Sequence, residues 1–196
     1  VCAGGRHNIP DIPGIKTGKV ITSEKLHHTV KSLLKITGPR FLRWASKKAV
    51  PFLTGKHVIV IGGRLHGCQT AEFLVKRGRV VTIVDTCDDE RIGEGLLETF
   101  MKPWLLIWLE EHGVRIFSGV RYEEINREGL VITTKEGKRE ALKADTIVTA
   151  MPMLPNIEFF NRFRNSANEV YAVGDTRDPG CVVDAVADGA RIAREI

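Results

Sequence analysis

The chain has 196 residues, 43% hydrophobic and 27% charged, a globular balance that excludes disorder and gives room for one complete core and part of another. No apolar run approaches the ~20 residues that span a bilayer, and Val1-Cys2-Ala3-Gly4-Gly5 has neither the basic start nor the apolar stretch of a signal peptide. The net charge of +5 argues against a nucleic-acid partner by its distribution: residues 23–53 hold seven Lys/Arg against one acid, Glu24, for a local +6, and the rest of the chain sums to −1.

In chain order, residues 1–22 read as a strand end followed by turns, punctuated by Pro10, Pro13 and Gly14. A helix is expected from Ser23, with Ser23 as its N-cap and Leu26, Val30, Leu33 and Leu34 at helical spacing. Gly38-Pro39 breaks it. A second helix is expected over about 40–50, and both read as a packed connector with a solvated basic face, or else as a docking patch for an anionic partner. The pattern then changes. Val58-Ile59-Val60-Ile61 is a continuous β-branched run, as a parallel strand covered on both faces requires. Gly62-Gly63-Arg64-Leu65-His66-Gly67 is a tight turn, Cys68 to Arg77 a helix stopped by Gly78, and Val80–Val84 a second buried strand ending at Asp85. Residues 94–112 predict a long helix with Trp104 and Trp108 in the core, and Val114–Phe117 a third parallel strand. Three short strands over about 120–125, 129–134 and 138–142 read as an antiparallel meander. Thr146-Ile147-Val148 returns as a buried strand, Val170–Val173 is one more, and 182–195 predicts a final helix.

Residues 58–85 carry a chemical argument. A pyrophosphate needs donors at close range, and the start of a helix offers unpaired backbone N–H groups with a positive dipole end. Glycines at the strand–helix turn let the ligand approach, and an acid ending the next strand accepts hydrogen bonds from an adenosine ribose. Gly62 and Gly67 stand as first and third glycine, and Asp85 follows Gly62 by 23 residues. Strand, turn, helix, strand and terminal acid together point to a dinucleotide. The second glycine position is Arg64, whose side chain crowds the ligand, turns outward, or pairs with a phosphate. Asp85 favours NAD over NADP, because a 2′-phosphate would face a carboxylate. Arg79 and Arg91 soften that preference.

Cys2, Cys68, Cys87 and Cys181 lie far apart without C-x-x-C spacing, and His27, His28, His57, His66 and His112 lack ligand spacing, so no metal or dithiol site is expected. Free thiols fit a cytoplasmic protein. With no initiator Met, the chain reads as a fragment of something longer.

Val58–Asp85 resembles the NAD(H)-binding domain of the two-dinucleotide-domain flavoproteins, the pyridine nucleotide-disulfide oxidoreductase-like reductases, in which that domain is inserted into a split FAD domain. Val1–Gly5 with Pro10–Gly14 is similar to the segment leaving the first FAD half, and Asp145–Ala150 with Pro155-Asn156 to the exit from the NAD domain. Val170–Asp175 is similar to the second FAD motif, and Cys181–Ala190 to the helix whose start faces the flavin. The finer resemblance, carried by Gly93-Glu94-Gly95, the Ser23–Leu53 insert and Asp184–Gly189, is to the NADH:flavin oxidoreductases that resemble old yellow enzyme: dienoyl-CoA reductase, enoate reductase and trimethylamine dehydrogenase relatives.

The resemblance implies an α/β fold: a Rossmann-like three-layer dinucleotide-binding domain with a β-meander over 55–150, a helical connector over 23–54, and a partial FAD-type domain from 1–22 and 151–196. It implies NAD(H) contacts at Gly62, Gly63, Arg64, Leu65, His66, Gly67, Asp85 and Ala150, and a partial FAD site at Gly4, Gly174, Asp175 and Val182. The implied role is to hold NADH for hydride transfer to a flavin, with an enoate or dienoyl-CoA-type C=C substrate handled elsewhere in the parent protein. FMN and an iron–sulfur cluster are then expected only in the N-terminal domains that the fragment lacks. Hydride transfer between two rings requires alignment and no side-chain acid, so no catalytic residue is named. Two alternatives stand: a module of an NADH oxidase or ferredoxin reductase, and a non-catalytic nucleotide-sensing module.

Overall fold

A computed structural model describes residues 1–34, 50, 53–95 and 101–195. The expected helix over 40–50 lies almost wholly outside the described residues. The chain forms two compact units, Pro10–Met151 and the pair Val1–Ile9 with Pro152–Ile196.

In the first unit, β1 (Val20–Thr22), β2 (His57–Ile61), β3 (Val80–Val84), β4 (Arg115–Phe117) and β8 (Thr146–Thr149) form a parallel sheet in the order β1-β8-β2-β3-β4. Strands β5 (Arg121–Ile125), β6 (Gly129–Thr133) and β7 (Arg139–Lys143) form the antiparallel meander. Alternation along β2 explains the three layers. Val58 and Val60 point to the helices α1 (Ser23–Leu34), α2 (Leu65–Val75) and α3 (Met101–Glu111), where they join Leu26, Ala71, Leu74 and Leu109. Ile59 and Ile61 point the other way, onto Ile125, Leu130, Ile132 and Leu142 of the meander. Each such buried aliphatic side chain contributes ~1.5–3 kcal/mol, so a run apolar on both faces commits β2 to the centre of the sheet.

Four expectations about this unit are corrected. Residues 10–22 belong to this unit and not to the partial second domain. β1 pairs with β8, Val20 opposite Ile147, while Ile12 is buried against the meander and the Ile125 amide donates to Pro13 O at 2.7 Å. A three-residue strand between turns has no periodicity to read, and the free edge of β8 supplies its reason to form. The N-cap of α1 is Thr22, whose hydroxyl accepts from the Lys25 amide at 3.1 Å, so Ser23 is already helical. Trp104, expected in the core, is 71% exposed, whereas Trp108 is partly buried, packs against the core and stacks on His112 at 3.9 Å. The sequence of α3 is apolar around most of its circumference, yet the helix buries Leu109 alone among its described side chains. Glu94 and Gly95, expected to begin that helix, are not helical, and Gly95 has φ of +94°.

In the second unit, α4 (Ile157–Asn161) and α5 (Val182–Glu195) flank a 3₁₀ turn at Gly174–Thr176. Val170–Val173, expected as a strand, is extended backbone whose bonds run to residue 1: the Val1 amine donates to Tyr171 O at 2.6 Å and the Val173 amide to Val1 O at 3.0 Å. Two such bonds make no ladder. Among the described residues, no helix is long and apolar enough to cross a membrane.

Candidate functional site

The sheet of the first unit ends at a glycine turn. Gly62 has φ of +111°, a Cβ there would lie 2.6 Å from Ala150 O, and its amide donates to Val84 O at 2.9 Å. The turn therefore sits flush against both strand neighbours of β2, which brings Ala150 beside it as the resemblance implies. At Gly67 a Cβ would overlap the carbonyl oxygen of Gly62, so α2 crosses the strand tip as closely as two backbones can. Gly63 is closed in by Ile92, whose Cδ1 would be 2.5 Å from a Cβ.

Asp85 at the end of β3 is 3% exposed. Its carboxylate accepts from the Gly63 amide at 2.5 Å and from the Cys87 amide at 3.0 Å. The sequence expects this acid to face a ribose. The structure engages it first with the backbone of the turn, using two of the roughly four lone-pair positions of a carboxylate. A short segment lies against the same turn: the Gly93 amide donates to Gly63 O at 2.8 Å, and the Leu65 amide to Glu94 O at 2.9 Å. Arg64 stands at the N-cap of α2 with extended backbone, and its guanidinium pairs with Glu94 at 2.9 Å. No side-chain hydrogen bond caps α2 at Arg64, and its first helical bond runs from the Cys68 amide to Arg64 O at 3.0 Å, so the amides of His66 and Gly67 precede the ladder. Two first-turn amides ahead of the helical ladder, with a cation beside them, are a donor set of the kind a diphosphate takes. Gly62, Gly63, Arg64, Leu65, His66 and Gly67 thus lie on one strand–helix turn of this unit, with Asp85 and Ala150 against it.

Two thiols border the turn. Cys68 is buried and donates to Gly63 O at 3.1 Å, and burial pushes its pKa up to about 12. Burial and then the charge of Asp85 push Cys87 up to about 11. Both are protonated at neutral pH. Burial likewise raises the Tyr122 hydroxyl, which donates to Val84 O at 3.2 Å and props the tip of β3.

The second unit gathers Gly4, Gly174, Asp175 and Val182. Gly4 (φ +75°) follows Ala3, whose amide donates to the Thr176 hydroxyl at 2.6 Å, and Gly174 has φ of +61°. Asp175 accepts from the Gly180 amide at 3.3 Å, and Val182 opens α5 at 82% exposed. Sequence reasoning missed Asp188 as a site residue. Its carboxylate accepts from the Gly174 amide at 2.9 Å and from Arg177 and Arg191, at 2.9 Å each to the same oxygen. Its advance signal was its place in the Asp184–Gly189 stretch that carries the finer resemblance.

The Gly174 amide first, then Arg177 and Arg191, hold the Asp188 carboxyl at about 2, below the ordinary 3.8. A depressed folded value stabilises the unit above the ordinary carboxylate range, and that stability drains as pH falls from about 4 towards 2. Thermal melts between pH 5 and 2 are expected to show this loss, and Asp188→Asn to flatten it. An unchanged acid slope in the variant would contradict the clamp.

The chain is similar to several known proteins. An NADH oxidase of Thermoanaerobacter brockii is 30% identical over 148 residues, covering 75% of this chain and 22% of that protein. A cinnamate reductase of Clostridium sporogenes is 26% identical over 142 residues, 72% of this chain and 21% of that protein. The structure of a 2-naphthoyl-CoA reductase superposes on the whole chain with a TM-score of 0.74 at 22% identity, over 26% of its own length. The chain thus spans about a fifth to a quarter of these three proteins. The superposition establishes the Rossmann-like α/β fold. A sequence model covers residues 1–189, glycine turn and second unit alike, and on that match the chain belongs to the pyridine nucleotide-disulphide oxidoreductase family.

Proposed function

We propose that the Pro10–Met151 unit binds NADH, and that Val1–Ile9 with Pro152–Ile196 forms part of an FAD-binding domain in a longer flavin-dependent oxidoreductase. The observation that carries the reading is the start of α2, where two uncapped amides and an arginine meet at a turn pinned by Asp85. The diphosphate would lie on the amides of His66 and Gly67, and the adenosine ribose toward the tip of β3. Gly4, Gly174, Asp175 and Val182 would face the flavin cofactor. Bound NADH would supply a hydride to the flavin. The residues of this chain bind and orient, and none need exchange a proton.

The substrate of the parent protein is assigned to the enoate or dienoyl-CoA class, with FMN and an iron–sulfur cluster outside this chain. The name of the cinnamate reductase supports that class, since cinnamate is itself an α,β-unsaturated carboxylate. The NADH oxidase at 30% identity favours the second reading, a module of an oxidase that shares the same NADH site.

Titration calorimetry of the 196-residue chain tests the site. NADH is expected to bind, NADPH to bind more weakly because its 2′-phosphate approaches the Asp85 carboxylate, and FAD not to form a stable complex. Absence of NADH binding at millimolar ligand overturns the proposal.

A further inference from the structure

We propose that Glu94 holds the Arg64 guanidinium in a waiting position, and that the diphosphate of a bound dinucleotide takes it over. The inference rests on the reading of the α2 turn as a dinucleotide site and adds the residue that sets its affinity.

Arg64 stands where close approach of a diphosphate asks for glycine, so its side chain must either leave the crevice or serve in it. Glu94 decides which in the free protein. Its carboxylate pairs with Arg64 at 2.9 Å and with Arg91 at 3.1 Å, bridging two guanidinium groups. The position of Glu94 is set by the turn itself. Its carbonyl takes the Leu65 amide, the Gly93 amide is bound to Gly63 O, and Gly95, at φ +94°, packs where a Cβ would come within 3.2 Å of the Leu65 Cβ.

Two features make an exchange inexpensive. The Arg64 and Glu94 side chains are 30% and 44% exposed, so a pair of this kind is weak and no buried charge is stranded when it opens. Arg91 stays with Glu94 after Arg64 leaves, so the abandoned carboxylate keeps a cation. On the other side, a diphosphate offers a guanidinium two charged, bidentate acceptors in place of one carboxylate. The first-turn amides of His66 and Gly67 fix the anion within one turn of Arg64.

A double-mutant cycle on the full chain tests this by calorimetry with NADH. Glu94→Gln frees Arg64 and is expected to tighten binding by about three- to five-fold, the worth of an exposed ion pair. Arg64→Gln is expected to weaken it by roughly tenfold, the worth of one charge-assisted hydrogen bond. In the Arg64→Gln background, Glu94→Gln should change affinity less than about twofold, because no cation remains to release. An equal gain in both backgrounds overturns the exchange and leaves Glu94 a simple repulsive charge. Inorganic pyrophosphate, as a competitor of NADH, should gain from Glu94→Gln as NADH does, and adenosine should not. A gain for adenosine as well marks a structural effect and overturns the proposal. A parent chain that binds no NADH removes the underlying site, whereas binding without coupling removes this inference alone.

Discussion

Gly67→Ala is expected to cost about 3 kcal/mol or more, at the top of the range for overpacking, to lower Tm by roughly 10 °C and to abolish NADH binding. The new Cβ would overlap the carbonyl oxygen of Gly62, and the Gly62 carbonyl carbon would be 2.6 Å away. Neither backbone has room to yield. Gly62 is held by its bond to Val84 O at 2.9 Å, and on its far side Ala150 O sits 2.6 Å from where a Cβ would go. The helix must therefore retreat from the strand tip, which carries the first-turn amides away from the ligand. Gly18→Ala is the control. A Cβ there meets nothing within 4 Å, so stability should move by less than ~0.5 kcal/mol. Differential scanning calorimetry separates the two. A Gly67→Ala protein melting within about 2 °C of the parent would show that α2 does not cross β2 as closely as described.

The sequence made the centre of the fold legible and left its margins obscure, for physical reasons visible in particular residues. The runs Val58–Ile61 and Val81–Val84 are buried on both faces, and that burial is written locally, as uninterrupted β-branched residues. β1 is not written locally at all: Val20–Thr22 becomes a strand because β8 offers an edge. Val170–Val173 shows the converse, a strand-like run whose described partner is a single residue at the other end of the chain. The site divides in the same way. Gly62, Gly67 and Asp85 were legible because their roles depend on spacing within one βαβ unit. Glu94 and Asp188 were not read as site residues, because their roles depend on which amide or guanidinium the tertiary fold sets beside them. Trp104 misled, since an apolar residue at helical spacing carries no label for which face the neighbouring elements cover.

Asp85→Ala is the second large effect expected. The substitution strips the acceptor from the buried Gly63 amide and from the Cys87 amide, now at 2.5 and 3.0 Å from the carboxylate. Losing a charged acceptor and stranding a buried donor should cost ~2–4 kcal/mol. Affinity for NADH should fall by more than tenfold, about 1.4 kcal/mol at the least. The ligand profile tells why. If Asp85 acts by holding the turn, inorganic pyrophosphate should lose affinity along with NADH, because the amides of His66 and Gly67 are no longer aimed. If it acts by accepting from the ribose alone, pyrophosphate should bind unchanged and adenosine should weaken. The geometry favours loss of both, since the carboxylate already serves two amides and keeps lone pairs for a sugar hydroxyl. The second unit repeats the device, with Asp188 on the Gly174 amide at 2.9 Å. A glycine turn gains close approach and loses conformational restraint, and a buried acid from the next element restores the restraint without filling the space. Asp85→Ala should thus behave as a loosened turn in amide hydrogen exchange, with Gly63 and Cys87 exchanging faster than in the parent. Unchanged protection at both amides would leave Asp85 with the ribose role alone.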